Sequence, residues 1–339
     1  MPDPIVPDPV MPDGEVDLSM VDRPLVTVVV VAYNNADHIA GCLDSALSEL
    51  PSDGSRLVVL DNASSDDTAD RIEEGWPQVD LIRSEENLGF GRACNRAAAE
   101  TSSRFVLLLN PDATMLPGCL GTLLDLAERQ PLGGLYGGRV YTRDGDVDPM
   151  SCSGRPTLWS TFCFATGLSA IFASSAVFNQ VEMGSWARDE ERQVDVITGC
   201  LLLADRVAWE RLGGFDERFF MYGEDIDLSL RAAALGYEPT FTPDAGISHI
   251  GGASSSAVNM QILLYRGKVS LIRKLWDGPR RSVAEALLLA GVALRGRLGT
   301  VAARLKAVLG RGSSQTSPSA WSALWDRRAE WRDGWPPAT

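Results

Sequence analysis

Apolar and polar positions come in alternating blocks through the first 125 or so residues. Leu25 to Ala32 is an unbroken, mostly β-branched run, the pattern of a strand buried on both faces. Residues 36–50 follow with helical spacing. Arg56 to Leu60 predicts a second buried strand, ending at Asp61. The cluster Ser64-Ser65-Asp66-Asp67 is suited to cap a helix through Thr68 to Glu74. Val79 to Arg83 predicts a third strand, Gly91 to Glu100 a helix and Phe105 to Leu109 a fourth strand. Strands and helices alternating at this spacing predict an α/β fold: a mostly parallel sheet with right-handed crossovers, flanked by helices.

The pattern loosens after residue 133. Arg139 to Thr142 predicts a short strand. Residues 158–178, rich in Phe, Ser and Ala, read as either a helix pair or a loop over the site. Val194 to Ala204, with Gly199-Cys200 inside it, reads as one strand. A helix runs to about Leu235. Glu238 to Phe241 and Ile247 to His249 read as two further short strands. Residues 260–275 and 282–309 are helical in pattern, and a Ser-rich break at 313–320 precedes a Trp-rich last helix. The chain thus divides into an acidic, proline-rich leader (1–23) expected to be disordered, a catalytic domain (24–258) and a helical extension (259–339).

Polar residues follow each apolar run: Tyr33-Asn34, Asp61-Asn62, Asn87 and Asn110-Pro111-Asp112. Open α/β sheets bind ligands at these strand ends. A second cluster follows the aromatic residues Phe215, Phe219, Phe220 and Tyr222. It holds Glu224, Asp225 and Asp227, with Leu228, Leu230 and Arg231 at helical spacing. Acids at a helix start are favoured by the macrodipole, so the cluster is either a cap or a general base behind an aromatic wall.

Asp61, Asp112, Asp225 and His249 each lie beside a predicted strand or at a helix start. A carboxylate and an imidazole can together hold a divalent cation, which neutralises a departing diphosphate. A further carboxylate can take a proton from an attacking hydroxyl. Asp61 is placed to accept the imide N–H of a pyrimidine. Each residue has a plainer role open to it. Asp61 can cap a helix, Asp112 can be a turn residue, His249 can be a core histidine, and His38 reads as a surface residue. Asn87 to Asn95 is either a glycine turn opening a helix or a helix N-terminus presenting Arg92 to phosphates.

The sequence resembles the inverting glycosyltransferases of family 2, with the GT-A fold, in the rhamnosyltransferase-like branch that builds bacterial surface polysaccharides. The resemblance rests on Val30-Val-Ala-Tyr-Asn34, Leu60-Asp-Asn-Ala-Ser-Ser-Asp-Asp67, Asn87-Leu-Gly-Phe-Gly-Arg-Ala-Cys-Asn95 and Leu109-Asn-Pro-Asp112. It continues through Gly213-Gly-Phe-Asp216, Gly223-Glu-Asp-Ile-Asp227 and His249-Ile-Gly-Gly252. These run in the family's order across roughly residues 25–255.

The resemblance implies a role for each position. Asp225 would be the catalytic base and Glu224 its acidic neighbour. Ala32, Tyr33, Asn34, Asp61, Asn87, Arg92, Asn110 and Asp112 would form the nucleotide site. Asp112 and His249 would ligate Mg²⁺ or Mn²⁺, with Mn²⁺ favoured by the imidazole. Asn110 stands where the family's metal motif has its first acid. Gly199, Cys200 and Asp227 would lie on the acceptor side. The donor would be a dTDP- or UDP-sugar, with dTDP-rhamnose first and UDP-galactofuranose or UDP-GlcNAc as alternatives. The acceptor would be a glycan or a lipid-linked acceptor, with a small molecule or a glycolipid as the alternative. A non-catalytic nucleotide-binding module of the same fold is a competing reading. A nucleotidyltransferase is another, but Tyr33-Asn-Asn-Ala36 lacks the Gly-rich, cationic signature it would need after the first strand.

Charge adds one feature. Residues 260–339 carry 14 Lys+Arg against 5 Asp+Glu, a balance of +9, so the rest of the chain carries −23 of the total −14. An acidic body argues against nucleic-acid binding and leaves the basic extension to meet an anionic surface. Residues 283–294 are apolar but too short to span a bilayer. Arg295, Arg297, Arg304, Lys306 and Arg311 follow, interleaved with Leu298, Val301, Leu305 and Leu309. Residues 283–311 therefore read either as an interfacial helix or as a helix packed on the body or a second subunit, with the Trp residues after 320 covering part of it. No apolar leader segment is present, and no two of the six cysteines have C-x-x-C spacing. A cytoplasmic protein, peripheral at the inner face of the plasma membrane, is the expectation.

Overall fold

A computed structural model describes residues 24–249, 257–308 and 320–336. The acidic leader, Ile250-Gly251-Gly252 of the last motif and most of the Ser-rich break lie outside them. The chain runs β1 (Val26–Ala32), α1 (Ile39–Glu49), β2 (Arg56–Asp61), α2 (Thr68–Gly75), β3 (Asp80–Arg83), α3 (Phe90–Ala99) and β4 (Phe105–Leu109). It continues with β5 (Ala113–Met115), α4 (Cys119–Arg129), β6 (Leu135–Tyr141), β7 (Cys152–Ser153), α5 (Leu158–Thr166) and α6 (Leu168–Ile171). Next come β8 (Arg192–Gln193), β9 (Val196–Ile197), β10 (Leu201–Asp205), α7 (Arg206–Leu212), α8 (Glu224–Ala234) and β11 (Thr240–His249). Three helices close the chain: α9 (Ala257–Leu275), α10 (Gly278–Val308) and α11 (Ala320–Asp326).

The main sheet has the order β3-β2-β1-β4-β10-β6-β11-β5, with β8 paired to β11. β3, β2, β1 and β4 are parallel, as the alternation of elements predicts. All seven residues of β1 are buried, which is why an unbroken β-branched run suits this central position. Alternate residues feed two cores. Val28, Val30, Val59 and Leu107 pack beneath α1 and α4, while Val29, Val31, Val58 and Leu108 pack against Ala93, Ala97 and Leu228 on the other face.

β10 enters antiparallel to both β4 and β6, so the sheet is mixed in its second half. Two expectations are corrected here. Val194 to Ala204 is not one strand. β9 pairs with β7 in a separate two-stranded sheet, and the chain turns at Thr198-Gly199-Cys200 before β10 joins the main sheet. Apolar composition cannot show a chain leaving one sheet for another. Conversely, the two short strands around 240 and 248 are one strand, β11, whose register against β6 shifts between Phe241 and Gly246. Pro243 sits in that irregular stretch, where a missing donor is tolerated.

Residues 158–178 form the helix pair α5 and α6 and then a loop. The basic extension packs on α5. Ile262, Tyr265, Val292, Leu324 and Trp331 form a third core, with Leu158 and Phe164 of α5 packed against it. Gly291 lets α10 come this close: a Cβ there would stand 2.7 Å from the Phe164 ring. The extension also touches the loop before α8. A Cβ on Gly267 would lie 2.1 Å from the backbone oxygen of Tyr222, and the Trp335 indole N–H donates to the Met221 carbonyl at 3.3 Å.

The Gly267 contact is backbone against helix, so neither side yields cheaply. Gly267→Ala is expected to destabilise the protein by about 1–3 kcal/mol, the usual cost of overpacking. Because the displaced residue stands three before Asp225, turnover is expected to fall by more than the lost folded fraction explains. Denaturant melts alongside assays at a temperature where the variant is fully folded would show this. Wild-type turnover there would refute the coupling.

Candidate active site

The C-terminal ends of β1 and β2 are stitched together. The Asn62 N–H donates to the Ala32 carbonyl at 2.8 Å. Asn34 takes a left-handed backbone (φ +54°), donates its N–H to Ser64 Oγ at 2.9 Å and accepts from the Ser65 N–H through Oδ1 at 2.8 Å. Asn34 is thus spent on positioning the loop. Tyr33 next to it is exposed, its N–H held by Asn35 Oδ1 at 2.8 Å. Asp61 is only 4% exposed. Its Oδ2 accepts from the Ser64 N–H at 3.2 Å, while Oδ1, also buried, has no hydrogen-bond partner among the described residues. A buried carboxylate oxygen without a donor is costly and awaits one.

Asn87 is joined to this edge through Asn62, a residue that spacing alone did not single out as a ligand. The Asn62 amide donates to Asn87 Oδ1 at 3.0 Å and to the Gly89 carbonyl at 3.2 Å, and its Oδ1 accepts from the Leu88 N–H at 2.8 Å. Gly89, with φ +79°, lies against the Phe220 carbonyl, which accepts from the Phe90 N–H at 2.8 Å. The loop after β3 thereby meets the aromatic loop before α8.

Asn110, Asp112, Cys200 and His249 converge although they come from three separate stretches of chain. His249 Nε2 lies 3.0 Å from Asp112 Oδ1 and 3.2 Å from the Asn110 amide nitrogen. Asp112 needs that nitrogen protonated, whereas Asn110 needs it bare, so one imidazole atom faces two incompatible claims. Asn110 also donates to Cys200 Sγ at 3.2 Å, and its N–H to the Cys200 carbonyl at 3.1 Å. Burial pushes the Cys200 thiol up to about 12, so it is a neutral wall. Burial opposes the charge on Asp112 as well, but the hydrogen bond and charge of His249 outweigh it and hold the carboxyl below its usual range. His38, read as a surface residue, adds a smaller electrostatic pull on Asp112.

The three acids of the α8 start part company. Asp227, 2% exposed, is bound by Arg231 Nε at 2.8 Å and by Lys274 of α9. It is an internal anchor. Glu224, 5% exposed, turns towards α3, where its Cβ would lie 3.7 Å from a Cβ on Gly91. Its Oε2 has no hydrogen-bond partner among the described residues, and burial, reinforced by the charge of Asp225, pushes its pKa well above the carboxylate range. Asp225 opens on a cavity that neither Glu224 nor Asp227 lines. Its Oδ2 accepts from the Gly199 N–H at 3.2 Å and its Oδ1 from the Ile226 N–H at 2.8 Å. Burial raises its pKa, and these N–H groups hold the rise back. Gly199 is wedged between Asp225 and the Phe90 ring.

That cavity has a volume of about 490 Å³ and is walled by α5, the loop to residue 182, Thr198, Tyr222 and α9. Asp61, Asp112 and His249 do not line it. Asp225 therefore stands between a polar strand edge and an apolar chamber. Arg92 belongs to neither: it lines a separate surface pocket with Arg83 and Arg96, and its Nε lies 3.7 Å from Glu217.

Solved structures resemble this fold. The mannosyltransferase PcManGT from Pyrobaculum calidifontis, in complex with GDP-Man and Mn²⁺, superposes with a TM-score of 0.52 at 20% identity, over 91% of this chain and 85% of that one. GalNAc-T7 with UDP, GalNAc and Mn²⁺ gives 0.54 at 14% identity, over 75% and 48%. The fold is that of a GT-A glycosyltransferase. The profile of the family described as "Glycosyl transferase family 2" matches residues 27–177. The N-acetylglucosaminyl-diphospho-decaprenol L-rhamnosyltransferase of Mycobacterium tuberculosis is 31% identical over 243 residues, 66% of this chain and 76% of that protein. The O-antigen biosynthesis protein RfbC of Myxococcus xanthus is 26% identical over 237 residues, 69% of this chain but 18% of its own length. The chain belongs to glycosyltransferase family 2.

The buried Glu224 carries a pH signature. An unfolded chain ionises it near the ordinary glutamate value, whereas the folded chain keeps the proton. Folding then takes up a proton, and stability falls as pH rises above the unfolded value towards the folded one. Glu224→Gln cannot ionise and escapes that loss. It is expected to gain at least about 1.4 kcal/mol over wild type at pH 8, the worth of one pKa unit. The gain should vanish near pH 4. Denaturant melts at both pH values test this, and a variant less stable than wild type at pH 8 would contradict it.

Proposed function

We propose that the protein transfers a sugar, with inversion, from a dTDP- or UDP-activated donor to a hydroxyl of a lipid-linked glycan in bacterial surface polysaccharide synthesis. The carrying observation is the position of Asp225, a carboxylate open to the apolar cavity and backed by the strand-end edge. The unpartnered Oδ1 of Asp61 supports a pyrimidine donor, because it lacks the N–H that uracil or thymine would supply. Likeness to the mycobacterial rhamnosyltransferase favours rhamnose as the sugar and a diphospho-polyprenol as the carrier.

In the reaction, the acceptor hydroxyl oxygen attacks the anomeric carbon and its proton passes to Asp225. The bond from that carbon to the diphosphate oxygen breaks, and the nucleoside diphosphate leaves with the electron pair. A raised pKa suits Asp225 to receive the proton near neutral pH. The Gly199 N–H keeps its carboxylate aimed. Asp112 and His249 would hold a divalent cation, which would neutralise charge on the diphosphate. Their donor set fits, because the cation would take the bare Nε2 and end the competition between Asn110 and Asp112 for it. Among the described residues no group of three or more His, Cys, Asp or Glu is placed to hold a metal, so donor oxygens would complete the shell.

The lipid side has a surface to match. Phe162, Ile171, Phe172 and Val177 are exposed around the cavity wall, and Leu294, Leu298 and Val301 are exposed along α10. The earlier part of α10 is turned inward through Ala284, Leu288 and Val292. Leu305, Leu309 and Arg311 lie among residues whose side chains are not described. No helix among the described residues is long and apolar enough to cross a membrane. Together these features support peripheral attachment.

Asp225→Asn is expected to keep dTDP or UDP binding and to lose transfer by about 10²–10⁴ in rate. The check is release of nucleoside diphosphate across a panel of dTDP- and UDP-sugars, run also in excess chelator on metal-free enzyme. Near-wild-type turnover of the variant would sink the base assignment, and full activity in chelator would sink the cation. Separately, Ile171→Asp with Phe172→Asp is expected to abolish co-sedimentation with vesicles rich in anionic lipid. Retention of full binding by that variant would place the membrane contact elsewhere.

A further inference from the structure

Among the described residues, one cationic side chain lines the cavity beside Asp225. Lys268 of α9 lines it together with Asp225, Phe164, Leu264, Leu271 and Leu288. Among the described residues no carboxylate lies within 4 Å of Lys268, or of its neighbour Arg295 on α10. The other cations of α9 are engaged. Arg273 pairs with Glu285, Lys274 pairs with Asp216 and Asp227, and Arg266 donates to the Gly334 carbonyl at 3.0 Å.

Aromatic rings hold both cations, and Arg295 also donates to the Gly291 carbonyl at 3.2 Å. Lys268 Nζ stands 4.9 Å from the Tyr265 ring centre and 5.8 Å from that of Phe164. The Arg295 guanidinium covers the same Phe164 ring at 4.0 Å and approaches Trp321 at 5.4 Å. Such contacts fix a cation in place without neutralising it. Burial lowers the Lys268 pKa, Arg295 lowers it further, and the charge of Glu182 offsets part of this. Glu182 also lines the cavity, but its Oε2 is occupied by the Asn179 amide at 2.8 Å. In a chain of net charge −14, two adjacent, half-buried cations that pair with no acid among the described residues are suited to bind an anion.

We infer that Lys268 and Arg295 form the subsite for the phosphate or diphosphate of the acceptor, between its hydroxyl-bearing sugar and its apolar chain. This rests on the proposed transfer at Asp225. The residues define the ligand by chemistry. Asp225 requires a hydroxyl, Lys268 and Arg295 an anion, and Phe164, Leu264 and Leu288 an apolar flank. A phosphoglycolipid has all three. The diphosphate of the donor belongs instead to the strand edge, because neither Asp112 nor His249 lines this cavity.

The test uses the full-length protein and three probes: farnesyl diphosphate, uncharged farnesol and dTDP, each titrated by calorimetry. Wild type is expected to bind farnesyl diphosphate. Lys268→Met and Arg295→Met should each weaken that binding about tenfold or more, the usual size of a charge-assisted contact. Affinity for farnesol and dTDP should stay within about twofold, and Lys268→Arg should restore most of the loss. Equal loss for farnesol would mean that Lys268 only shapes the cavity, and loss for dTDP would assign the cations to the donor; either overturns the inference, as does wild type failing to bind farnesyl diphosphate. If one variant does not fold, judged by its thermal melt, the other decides. Asp225→Asn should bind farnesyl diphosphate like wild type while losing transfer, so failure of the base assignment reads differently from failure of the subsite.

Discussion

Three carboxylates within four residues, at the start of one helix, must be prevented from repelling one another. The helix macrodipole helps, but only by about 0.3–1 kcal/mol per charge at ordinary exposure. The structure gives each acid a separate fate. Asp227 is neutralised by Arg231 and Lys274, and Glu224 is buried where it keeps its proton. Asp225 is left as the one acid able to ionise into the cavity, with backbone N–H groups on both its oxygens. Chemistry at this position depends on the other two being silenced, and the rest of the second half of the fold is arranged to do so.

Much of that arrangement comes from the C-terminal extension. Lys274 sits on α9, as does Gly267, whose missing side chain admits the Tyr222 backbone. Tyr222 itself adopts φ +66°, an uncommon conformation for a bulky residue, immediately before Gly223 at φ +99°. A backbone so disposed needs support from outside, and α9 with Trp335 supplies it. The strand-end edge, by contrast, is held by its own loops through Asn34, Asn62 and Ser64. The two halves of the site are therefore built by different means, one by local hydrogen bonds and one by packing from far along the chain.

That difference governs what could be read from the residues alone. The four parallel strands and the polar residues at their ends were legible because each buried run and its terminator are contiguous. Convergence of Asn110, Asp112 and His249 was legible because a parallel sheet gathers strand ends at one edge. The separate fates of Glu224 and Asp225 were not, since adjacent acids at a helix start look alike until α3 is seen to cover one of them. Arg92 misled for a related reason: a cation near a helix start suggests phosphate, yet its side chain faces solvent and Glu217. Lys268 gave no signal at all. That it forms no ion pair among the described residues is a matter of folding, with no counterpart in its spacing along the chain.

The contact between Trp335 and the loop at Phe220 and Met221 has a consequence for the order in which the molecule is made. On the ribosome, the strands that shape the polar strand-end edge emerge early and hold one another through local bonds. The loop that carries Asp225 emerges later and gains its last buttress only after α11 and the residues behind it leave the exit tunnel. A nascent chain therefore completes the strand-end edge before it completes the Asp225 loop. Chains that stall within the extension would carry the one without the other.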